Sequence, residues 1–471
     1  MKQHRKWQAQ SILLLSILSI YMNSSGTIGC GWDQHLANPG RTGYTMCDGP
    51  NAPMILWKTS LTGEIDTPPL VITDTLFILK NDSYTPPRKS SVIKLDLFTG
   101  NIIDKVEAKL EDPYYDIFSD GTNFYAVSNN EIWEVDFNQK KLKSLTFIPE
   151  KRCDFRCHPI ILETKIIFLS TPLICFSKPD FEVLWSTESI FSDHSKIKII
   201  NAAAHESHLL TIIEQNSQKK IYAFDIDTGI VVWDRPFPGE LFSVSVENSI
   251  VYAGGEKIRA YDIDTGNILW SFVPEGKVFS DLIVGLEYLF ATDSENQIYA
   301  LDKNSGQEIW STHWDGDPGW TFCAGGGKFL YYTKGLGEKS KIACFQTKDG
   351  TMMWEYTFDS PVHTHFVLAH GILVVALLKG EIYAFSTNPD IIEDAGITDE
   401  SEVTSPPSKT EPPETAPPES TPPYTSPAST ESSQIPPPGL EPSHIPEYLI
   451  VIAGIIGGIL VLILYMWQKK K

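Results

Sequence analysis

Cysteine is scarce in this sequence, with seven residues among 471. That density excludes a small fold held together mainly by disulfide bonds. Basic residues are also few, since 38 lysines and arginines face 59 aspartates and glutamates, and the formal net charge is −21. An acidic balance of this size repels phosphate backbones, so nucleic-acid binding through a general basic surface is excluded. Hydrophobic residues make up 42% of the chain, which is enough for a large packed domain.

The N-terminal end has the organisation of a secretory signal peptide. Three basic residues among the first six are followed by a short apolar run at residues 11–22 and then by small residues. The run is too short for a membrane span, which needs about 20 apolar residues. We therefore expect residues 1–29 to be a signal peptide. The segment before Cys30 loosely resembles a lipoprotein cleavage site, and the sequence leaves open whether Cys30 is lipidated.

The C-terminal end carries an uninterrupted apolar run of 20 residues, residues 448–467. This length spans a bilayer as a helix. Residues 468–471 include three lysines, which place this end in the cytoplasm. The two ends together predict a single-pass type I protein of the cell membrane, with the region between the signal peptide and the span outside the cell.

The composition changes before the predicted span. Fourteen of the 32 prolines lie between residues 406 and 446, among threonine, serine and glutamate. Such a segment cannot bury a hydrophobic core, and its prolines favour an extended chain. We interpret residues 391–447 as a semi-rigid stalk. The sequence leaves open whether the stalk carries O-linked glycans and whether Asn81, in the sequon at residues 81–83, is glycosylated.

The middle of the chain repeats one unit. The three clearest copies read IYAFDIDTGIVVW, IRAYDIDTGNILW and IYALDKNSGQEIW. Each has an alternating strand, an aspartate, a turn that glycine closes four residues later, and a second strand ending in tryptophan. Aspartate can accept hydrogen bonds from the turn, glycine supplies positive φ, and tryptophan can fill the gap between neighbouring sheets. The residues that we assign to these structural positions are Asp225, Gly229, Trp233, Asp262, Gly266, Trp270, Asp302, Gly306, Trp310, Gly350, Trp354 and Trp57.

Weaker copies extend the repeat over residues 30–390. Positions equivalent to the aspartate recur about every 40 residues from Asp96 to Ser386, and eight copies result. A period of this length with about four short strands per unit is typical of a β-propeller blade. The last copy lacks its closing strand, whereas the segment around Trp57 is a closing strand without a first half. We therefore predict an all-β, eight-bladed propeller whose ring is closed by the N-terminal strand.

The repeat A-x-D-x-x-T-G-x-x-x-W resembles that of the PQQ-like (pyrroloquinoline quinone repeat) propeller family. That family includes bacterial quinoprotein dehydrogenases, an outer-membrane assembly propeller and archaeal surface proteins. The opening of the chain, from Trp32 through residues 38–44 to Trp57, also resembles the start of exported propellers of this kind. The resemblance covers roughly residues 32–388 and implies the fold. It implies no particular function, because the motif residues are scaffold.

The resemblance also implies one specific chemistry, that of a PQQ-dependent dehydrogenase with calcium at the channel mouth. Enzymes of that kind place a vicinal Cys-Cys disulfide against the quinone and hold calcium with carboxylate and amide ligands. This sequence has no Cys-Cys dipeptide, and its predicted channel loops lack a recognisable set of such ligands. We therefore expect no cofactor and no enzymatic activity.

Two connecting segments and one strand are candidates for ligand binding. The connection after the strand at Trp310 places aromatic residues beside carboxylates, which suits peptide or carbohydrate capture; the alternative is a loop packed on its own blade. His363 and His365 would share one face of an innermost strand, a spacing that metal pairs use, but the sequence offers no third ligand and we predict no metal. The candidate ligand-binding residues are Tyr114, Tyr115, Asp116, His313, Trp314, Asp315, Asp317, Trp320, His363 and His365.

Four cysteines are candidates for disulfide bonds in an exported domain. The candidate pairs are Cys30 with Cys47 in the N-terminal lead-in, and Cys153 with Cys157 in one connecting loop. Cys323 and Cys344 fall in the first and third strands of one predicted blade, which is too far apart for a disulfide. We expect these two and Cys175 to be buried free thiols.

Together, these observations favour a binding or interaction module presented at the cell surface. We expect a non-catalytic propeller that binds an extracellular protein, peptide or glycan and is anchored in the membrane by its C-terminal helix. The alternatives are an exported quinoprotein-type oxidoreductase and an envelope assembly scaffold on the same fold.

Overall fold

The protein folds into eight β-sheets that follow one another round a ring. Each contains four antiparallel strands, and a short N-terminal strand pairs in parallel with the sheet of blade 7, so the predicted all-β, eight-bladed propeller is confirmed. The computed structural model describes residues 32, 34–65, 67–83, 88–110, 116–127, 131–147, 158–191, 197–316 and 321–394. Each blade has four strands, named A to D in the order in which they pair. The A strands of neighbouring blades contact one another and line the central channel, and the D strands lie at the rim.

The first half of the ring contains blades 1 to 4. Two strands precede it, β1 (Tyr44–Thr45) and β2 (Ile55–Ser60). Blade 1 contains β3 (Leu70–Ile72), β4 (Thr75–Ser83), β5 (Arg88–Asp96) and β6 (Ile102–Leu110). Blade 2 contains β7 (Asp116–Ser119), β8 (Phe124–Val127), β9 (Glu131–Asp136) and β10 (Lys141–Phe147). Blade 3 contains β11 (Ile160–Ile161), β12 (Lys165–Phe168), β13 (Ile174–Ser177) and β14 (Val183–Ser186). Blade 4 contains β15 (Ile197–His205), β16 (His208–Gln215), β17 (Gln218–Asp225) and β18 (Val231–Pro236).

The second half of the ring contains blades 5 to 8. Blade 5 contains β19 (Leu241–Glu247), β20 (Ile250–Gly255), β21 (Ile258–Asp262) and β22 (Ile268–Phe272). Blade 6 contains β23 (Ile283–Val284), β24 (Tyr288–Thr292), β25 (Gln297–Asp302) and β26 (Glu308–His313). Blade 7 contains β27 (Cys323–Gly326), β28 (Phe329–Leu336), β29 (Lys339–Gln346) and β30 (Met352–Phe358). Blade 8 contains β31 (Val367–Ala369), β32 (Ile372–Ala376), β33 (Glu381–Phe385) and, as strand D, β2; the helix α1 (Pro389–Asp394) follows.

Blade 8 is completed by the N-terminal strand, as predicted. Strand β2 pairs antiparallel with β33, and Trp57 lies opposite Ala384. Just beyond the paired strands, the backbone N–H of Ser386 donates to the carbonyl of Met54. Residues near the two ends of the described chain therefore share one sheet, which closes the ring without a covalent bond.

Tryptophan side chains on six D strands form contacts between sheets. Trp233 of blade 4 donates its indole N–H to the carbonyl of Ile263 in blade 5 at 2.7 Å. A Cβ added to Gly266 would lie 2.7 Å from the same indole, so glycine is required beneath it. The same bond to a carbonyl of the next blade is formed by Trp57, Trp185, Trp270 and Trp310. Trp354 contacts the ring of Phe385 in blade 8, but its indole N–H donates to the carbonyl of Pro50 in the N-terminal segment. The predicted role of tryptophan as a wedge between sheets is confirmed.

The aspartate of the repeat caps the turn between strands C and D. Asp225 accepts hydrogen bonds from the backbone N–H and the hydroxyl of Thr228, at 2.8 and 2.6 Å. Asp262 and Asp302 accept the equivalent bonds at their own turns. These bonds, first of all the one from the hydroxyl, lower the pKa of each of the three carboxyl groups. The turns therefore have the structural role that the sequence predicts.

We expect Trp270→Ala to lower the free energy of unfolding by about 3–5 kcal/mol, because it removes a large buried aromatic ring. Trp270 is 8% exposed and bonds the carbonyl of Lys303 in the next blade. Leu269→Ala is the matched control, because Leu269 precedes it in the same strand and is 50% exposed. We expect that variant to lose less than about 1 kcal/mol. Urea unfolding followed by circular dichroism measures both values, and equal losses would contradict the wedge role.

The described cysteines follow the sequence prediction. Cys175, Cys323 and Cys344 are buried and free. Burial raises the pKa of all three thiols and keeps them protonated. Cys47 is disulfide-bonded. Its predicted partner Cys30 and the candidate pair at positions 153 and 157 lie outside the described residues.

The sequon asparagine lies inside a sheet. Asn81 is 2% exposed, and its side-chain oxygen accepts a hydrogen bond from the hydroxyl of Ser90 at 2.6 Å. A glycan needs an amide nitrogen at the surface, so this environment disfavours modification of Asn81.

The predicted signal peptide and membrane span lie outside the described residues. The stalk was predicted to begin at residue 391, but Ile391 is 8% exposed and packs in the hydrophobic cluster of blade 8. The packed domain therefore continues into helix α1. Within the part of the chain that the structure describes, no helix has the length and apolar character needed to cross a membrane.

Candidate functional site

The propeller has two different faces. The A–B and C–D turns lie together on one face, here named the turn face. In blade 5, for example, the backbone N–H of Ile263 in the C–D turn donates a hydrogen bond to the carbonyl of Ser249 in the A–B turn. The connections between blades and the B–C turns lie on the other face, here named the connection face. For example, the backbone N–H of Ser294 in the B–C turn of blade 6 donates a hydrogen bond to the carbonyl of Lys277 in the connection between blades 5 and 6. Any ligand that reaches the channel must pass one of these two faces.

An N-terminal segment, residues 32–50, occupies the channel toward the turn face; it is named the channel segment below. Its carbonyls accept backbone hydrogen bonds from the A strands of five blades as it runs round the ring. The donors are Val71, Ala204, Val246, Val284 and Gly325, and the respective acceptors are Trp32, Pro39, Gly40, Thr42 and Gly43. At its far end, the side chain of Asp48 accepts a hydrogen bond from the N–H of Lys328, in the A–B turn of blade 7. The channel segment therefore closes the channel from the turn face.

A ring of side chains lies above this segment, contributed by the A strands or by the residues just before them. In blades 4 to 7, the ring residue comes three positions before the residue whose backbone N–H donates a hydrogen bond to the channel segment. In blade 3, it comes three positions before Ile161, whose backbone N–H donates to the side-chain oxygen of Gln34. The residues of this channel ring, from blade 2 to blade 8, are Asp116, His158, Asn201, Ser243, Asp281, Phe322 and His365. Its polar members are between 1% and 7% exposed. The ring is therefore a buried polar layer.

Two carboxylate–histidine pairs lie in the channel ring. Asp116 Oδ2 lies 2.8 Å from His158 Nδ1, which joins blades 2 and 3. Asp281 Oδ2 lies 2.7 Å from His365 Nε2, which joins blades 6 and 8. Asn201 of blade 4 donates its side-chain N–H to Asp281 Oδ1 at 3.3 Å. Because Asp281 contacts side chains from blades two positions away on either side, these bonds tie A strands together across the channel.

Arg41 of the channel segment fills the centre of the ring. Its guanidinium donates to the carbonyl oxygens of His35 and His158 at 2.5 and 2.8 Å. Burial lowers the pKa of Arg41 to about 10, and the negative charges of Asp116 and Asp281 oppose that shift. Since the guanidinium stays charged at neutral pH, one buried cation faces two buried carboxylates.

His35 packs between two histidines of the ring. Its ring centroid lies 3.9 Å from that of His158 and 4.5 Å from that of His365. Phe322 covers the other side of His365, with ring centroids 4.7 Å apart. The three imidazoles therefore form a contiguous cluster beside the two carboxylates, with His35 tilted against His158 and edge-on to His365.

A small cavity lies at the level of the ring. It measures about 10 Å³ beside His35, Asp116 and His158, and a cavity of this size holds about one water. Arg41 and His35 are buried next to it, at 2% and 8% exposure. In the described ranges, no three histidine, cysteine, aspartate or glutamate side chains are arranged to hold a metal ion. The residues present therefore do not fit a PQQ–calcium centre at this level.

Two of the predicted ligand-binding residues, Asp116 and His365, belong to the channel ring. His363 and His365 do not share one face of a strand, because β31 begins at Val367 and both histidines precede it in irregular chain. His363 is exposed on the connection face, whereas His365 is buried against Asp281. The predicted histidine pair is therefore corrected to two separate environments.

Trp314 packs between two blades. It is 4% exposed, and its ring contacts that of Phe345. Its indole N–H donates to Glu355 Oε2 at 2.7 Å. Trp314 is therefore packed, as in the alternative interpretation, although its ring and indole N–H contact the next blade and not its own. This corrects the prediction that Trp314 contacts a ligand.

The remaining predicted residues divide into two groups. His313 and Asp315 pair at the surface, with His313 Nε2 3.0 Å from Asp315 Oδ1 and side chains that are 52% and 95% exposed. These two are available on the connection face. The other four, Tyr114, Tyr115, Asp317 and Trp320, lie outside the described residues.

Seven residues of the channel ring and the adjoining channel segment were not among the predicted site residues. They are His35, Arg41, His158, Asn201, Ser243, Asp281 and Phe322. The repeat was aligned on its aspartate, glycine and tryptophan, which lie in the outer half of each blade. An alignment on the starts of the A strands would show a polar residue before each of several apolar runs, and that signal was present in the sequence.

Comparison with known sequences gives one family. Residues 130–282 and 294–389, together more than half of the chain, match a PQQ-repeat family described as outer membrane protein assembly factor BamB. No curated protein matches the sequence.

Solved structures share the fold at low sequence identity. The computationally designed protein Ika8 has a TM-score of 0.56 and 11% identity, over 71% of this chain and 99% of Ika8. Sqt1 of Saccharomyces cerevisiae has a TM-score of 0.54 and 12% identity, over 71% of this chain and 99% of Sqt1. BamB from Moraxella catarrhalis has a TM-score of 0.53 and 12% identity, over 70% of this chain and 99% of that protein. At these identities the likeness shows the fold alone. By the family match over more than half of its length, the chain belongs to the BamB-like family of PQQ-repeat β-propellers.

Proposed function

We propose that the protein is an exported, membrane-anchored and non-catalytic binding module whose connection face contacts an extracellular protein, peptide or glycan. The observation that carries this proposal is the filled channel. The channel segment blocks it from the turn face, and Arg41 fills the ring above. The connection face is then the face available to a ligand. Its loops carry exposed polar residues, such as His363 and Asp315, and are held in position by the strands of the blades.

The place where the chain leaves the propeller supports this choice of face. The hydroxyl of Ser386 donates to the carbonyl of Gly371, in the A–B turn of blade 8. The hydroxyl oxygen of Thr387 accepts a hydrogen bond from the N–H of Asn51, near the end of the channel segment. Ser386 and Thr387, which follow β33, therefore lie at the turn face and leave the connection face unobstructed.

The chemistry of the channel ring supports a non-catalytic role. A catalytic acid or base must come within hydrogen-bond reach of a substrate. The ring carboxylates and histidines are at most 8% exposed and bond one another or the channel segment. Such a cluster serves to fix the A strands in place.

A second candidate function is an envelope assembly scaffold, which the family match favours. The matched family is named for an outer membrane protein assembly factor. In that role the connection face would contact another envelope protein in place of a free peptide or glycan, and no catalytic group would be needed either.

The proposal is tested by blocking one face at a time on the full-length protein. A polyethylene glycol maleimide is attached at His363→Cys on the connection face or at Leu286→Cys in an A–B turn, where Leu286 is 58% exposed. We expect the first adduct to reduce binding to a glycan and peptide array by about tenfold or more, since it obstructs the binding face, and the second to leave it unchanged. Equal binding by both adducts, or loss only with the Leu286→Cys adduct, would contradict the proposal.

A further inference from the structure

Lys334 and Asn296 form a direct side-chain contact between two blades. Lys334 is in β28 of blade 7, and Asn296 is in the B–C turn of blade 6. The ammonium nitrogen of Lys334 lies 2.7 Å from Asn296 Oδ1 and also donates to the carbonyl of Trp314. The amine and the side-chain amide are therefore held against each other by two separate parts of the chain.

The amine of Lys334 is in an unusually dry place for lysine. The residue is 2% exposed, and its nitrogen lies 4.9 Å from the centre of the Trp314 ring. Burial, and then the nearby charge of Lys341, lower the pKa of Lys334 to about 8, although the negative charges of Asp315, Asp293 and Glu355 oppose that shift. A substantial fraction of this side chain is a neutral amine in mildly alkaline solution, and a neutral desolvated lysine is a nucleophile.

The amide of Asn296 is fixed at the same contact. Its Nδ2 donates to the carbonyl of Gly316 at 3.1 Å, while its oxygen receives the bond from Lys334. Its backbone has φ of 67°, a left-handed conformation that asparagine tolerates. Asp293 holds the turn on both sides of Asn296, because its carboxylate accepts hydrogen bonds from the backbone N–H groups of Glu295 and Gln297. The carbonyl carbon therefore has little freedom to move away from the amine.

The loop that completes the contact requires a glycine. A Cβ added to Gly316 would lie 2.6 Å from the Lys334 side chain, so the loop approaches the lysine at a position without a side chain. The approach excludes water from the lysine and brings the Gly316 carbonyl to the amide nitrogen of Asn296.

We propose that Lys334 and Asn296 form an intramolecular isopeptide bond that joins blades 6 and 7. Lys334 Nζ, as the neutral amine, attacks the side-chain carbonyl carbon of Asn296. The Nζ–Cγ bond forms, the Cγ–Nδ2 bond breaks, and Nδ2 leaves as ammonia with one proton from Nζ. The product is a secondary amide, and the step needs no oxidant, reductant or further reactant.

The contact between Lys220 and Asp234 lacks this combination of features. Lys220 lies 2.7 Å from Asp234, but the two side chains are 37% and 39% exposed. A solvated carboxylate and a solvated ammonium form an ion pair and do not condense to an amide. Lys220 is therefore a matched control for Lys334.

The test is the intact mass of the denatured full-length protein after incubation at about pH 9 and about pH 7. We expect a loss of mass equal to one ammonia molecule and a branched peptide that joins the tryptic fragments of Lys334 and Asn296. The reaction should accelerate as the pH rises through about 8, because the neutral amine is the attacking form. Lys334→Arg should keep its full mass, and Lys220→Arg should react like the unmodified protein.

The peptide map separates this bond from a succinimide, which loses the same mass but yields no branched peptide. Asn296→Ala provides a second blocked variant if Lys334→Arg does not fold. A protein that retains its full mass after prolonged incubation at alkaline pH would overturn the proposal. Loss of ammonia that persists in both blocked variants would overturn it as well.

Discussion

A variant that lacks residues 30–62 is expected to lose the cooperative unfolding transition of the propeller. The deletion removes β2, and with it Leu56 and Trp57, which are 6% and 8% exposed in the hydrophobic cluster of blade 8. It leaves β33 as an exposed edge and one blade without its fourth strand. We expect a loss of more than about 5 kcal/mol, which is comparable to the whole stability of a typical domain. Thermal unfolding followed by circular dichroism measures the effect.

A shorter deletion is the matched control for ring closure. Removal of residues 30–50 takes away the channel segment and the disulfide at Cys47 but keeps β2. We expect this variant to unfold cooperatively at a lower temperature, because the ring is still closed although its channel is not filled. If the longer deletion also unfolds cooperatively at the temperature of the intact protein, blade 8 is not completed by β2.

Arg41→Met is expected to lower the free energy of unfolding by about 3–5 kcal/mol, because removing one partner leaves buried charges uncompensated. The substitution removes the cation that faces Asp116 and Asp281, which are 5% and 6% exposed. It also removes the hydrogen bonds to the carbonyls of His35 and His158. Methionine has a similar length, so the change is mainly one of charge. Urea unfolding measures the difference.

Two further variants test whether the loss of stability comes from the buried charge of Arg41 or would follow from removing any positive charge. Lys328→Met removes a cation whose side chain is 81% exposed and lies 3.6 Å from Asp48, and we expect a loss below about 1 kcal/mol. Adding Asp281→Asn to Arg41→Met should recover part of the loss, because one uncompensated carboxylate is removed. Equal unfolding midpoints for Arg41→Met and Lys328→Met would show that Arg41 is not the counter-ion of the ring.

The fold could be predicted from the sequence because its determinants are local. Asp225 and Gly229 lie four residues apart in one turn, and Trp233 follows in the next strand, so a single short window holds the motif. The repeat then gives the number of blades by its period. The closing strand could be predicted as well, because Trp57 lies in a half-unit that only the last blade needs.

The channel ring could not be predicted in the same way because it is non-local. The charges of Asp116 and Asp281 act on Arg41 only after residues from distant parts of the sequence come together. A polar residue before an apolar run marks the start of an A strand but does not show which side chains it will face across the channel. Trp314 shows a second limit. A tryptophan in a connecting loop can face a ligand or the gap between two blades, and nothing in its neighbours along the chain tells these apart.

The central claim is that the channel segment fills the channel and binds the A strands. Hydrogen–deuterium exchange of the intact protein and of the variant without residues 30–50 tests it most directly. The amides of Ala204, Val246 and Val284 donate to the channel segment. We expect peptides containing them to exchange about tenfold faster or more in the variant, while C-strand peptides of the same blades keep their protection. Unchanged protection of these A-strand peptides would contradict it.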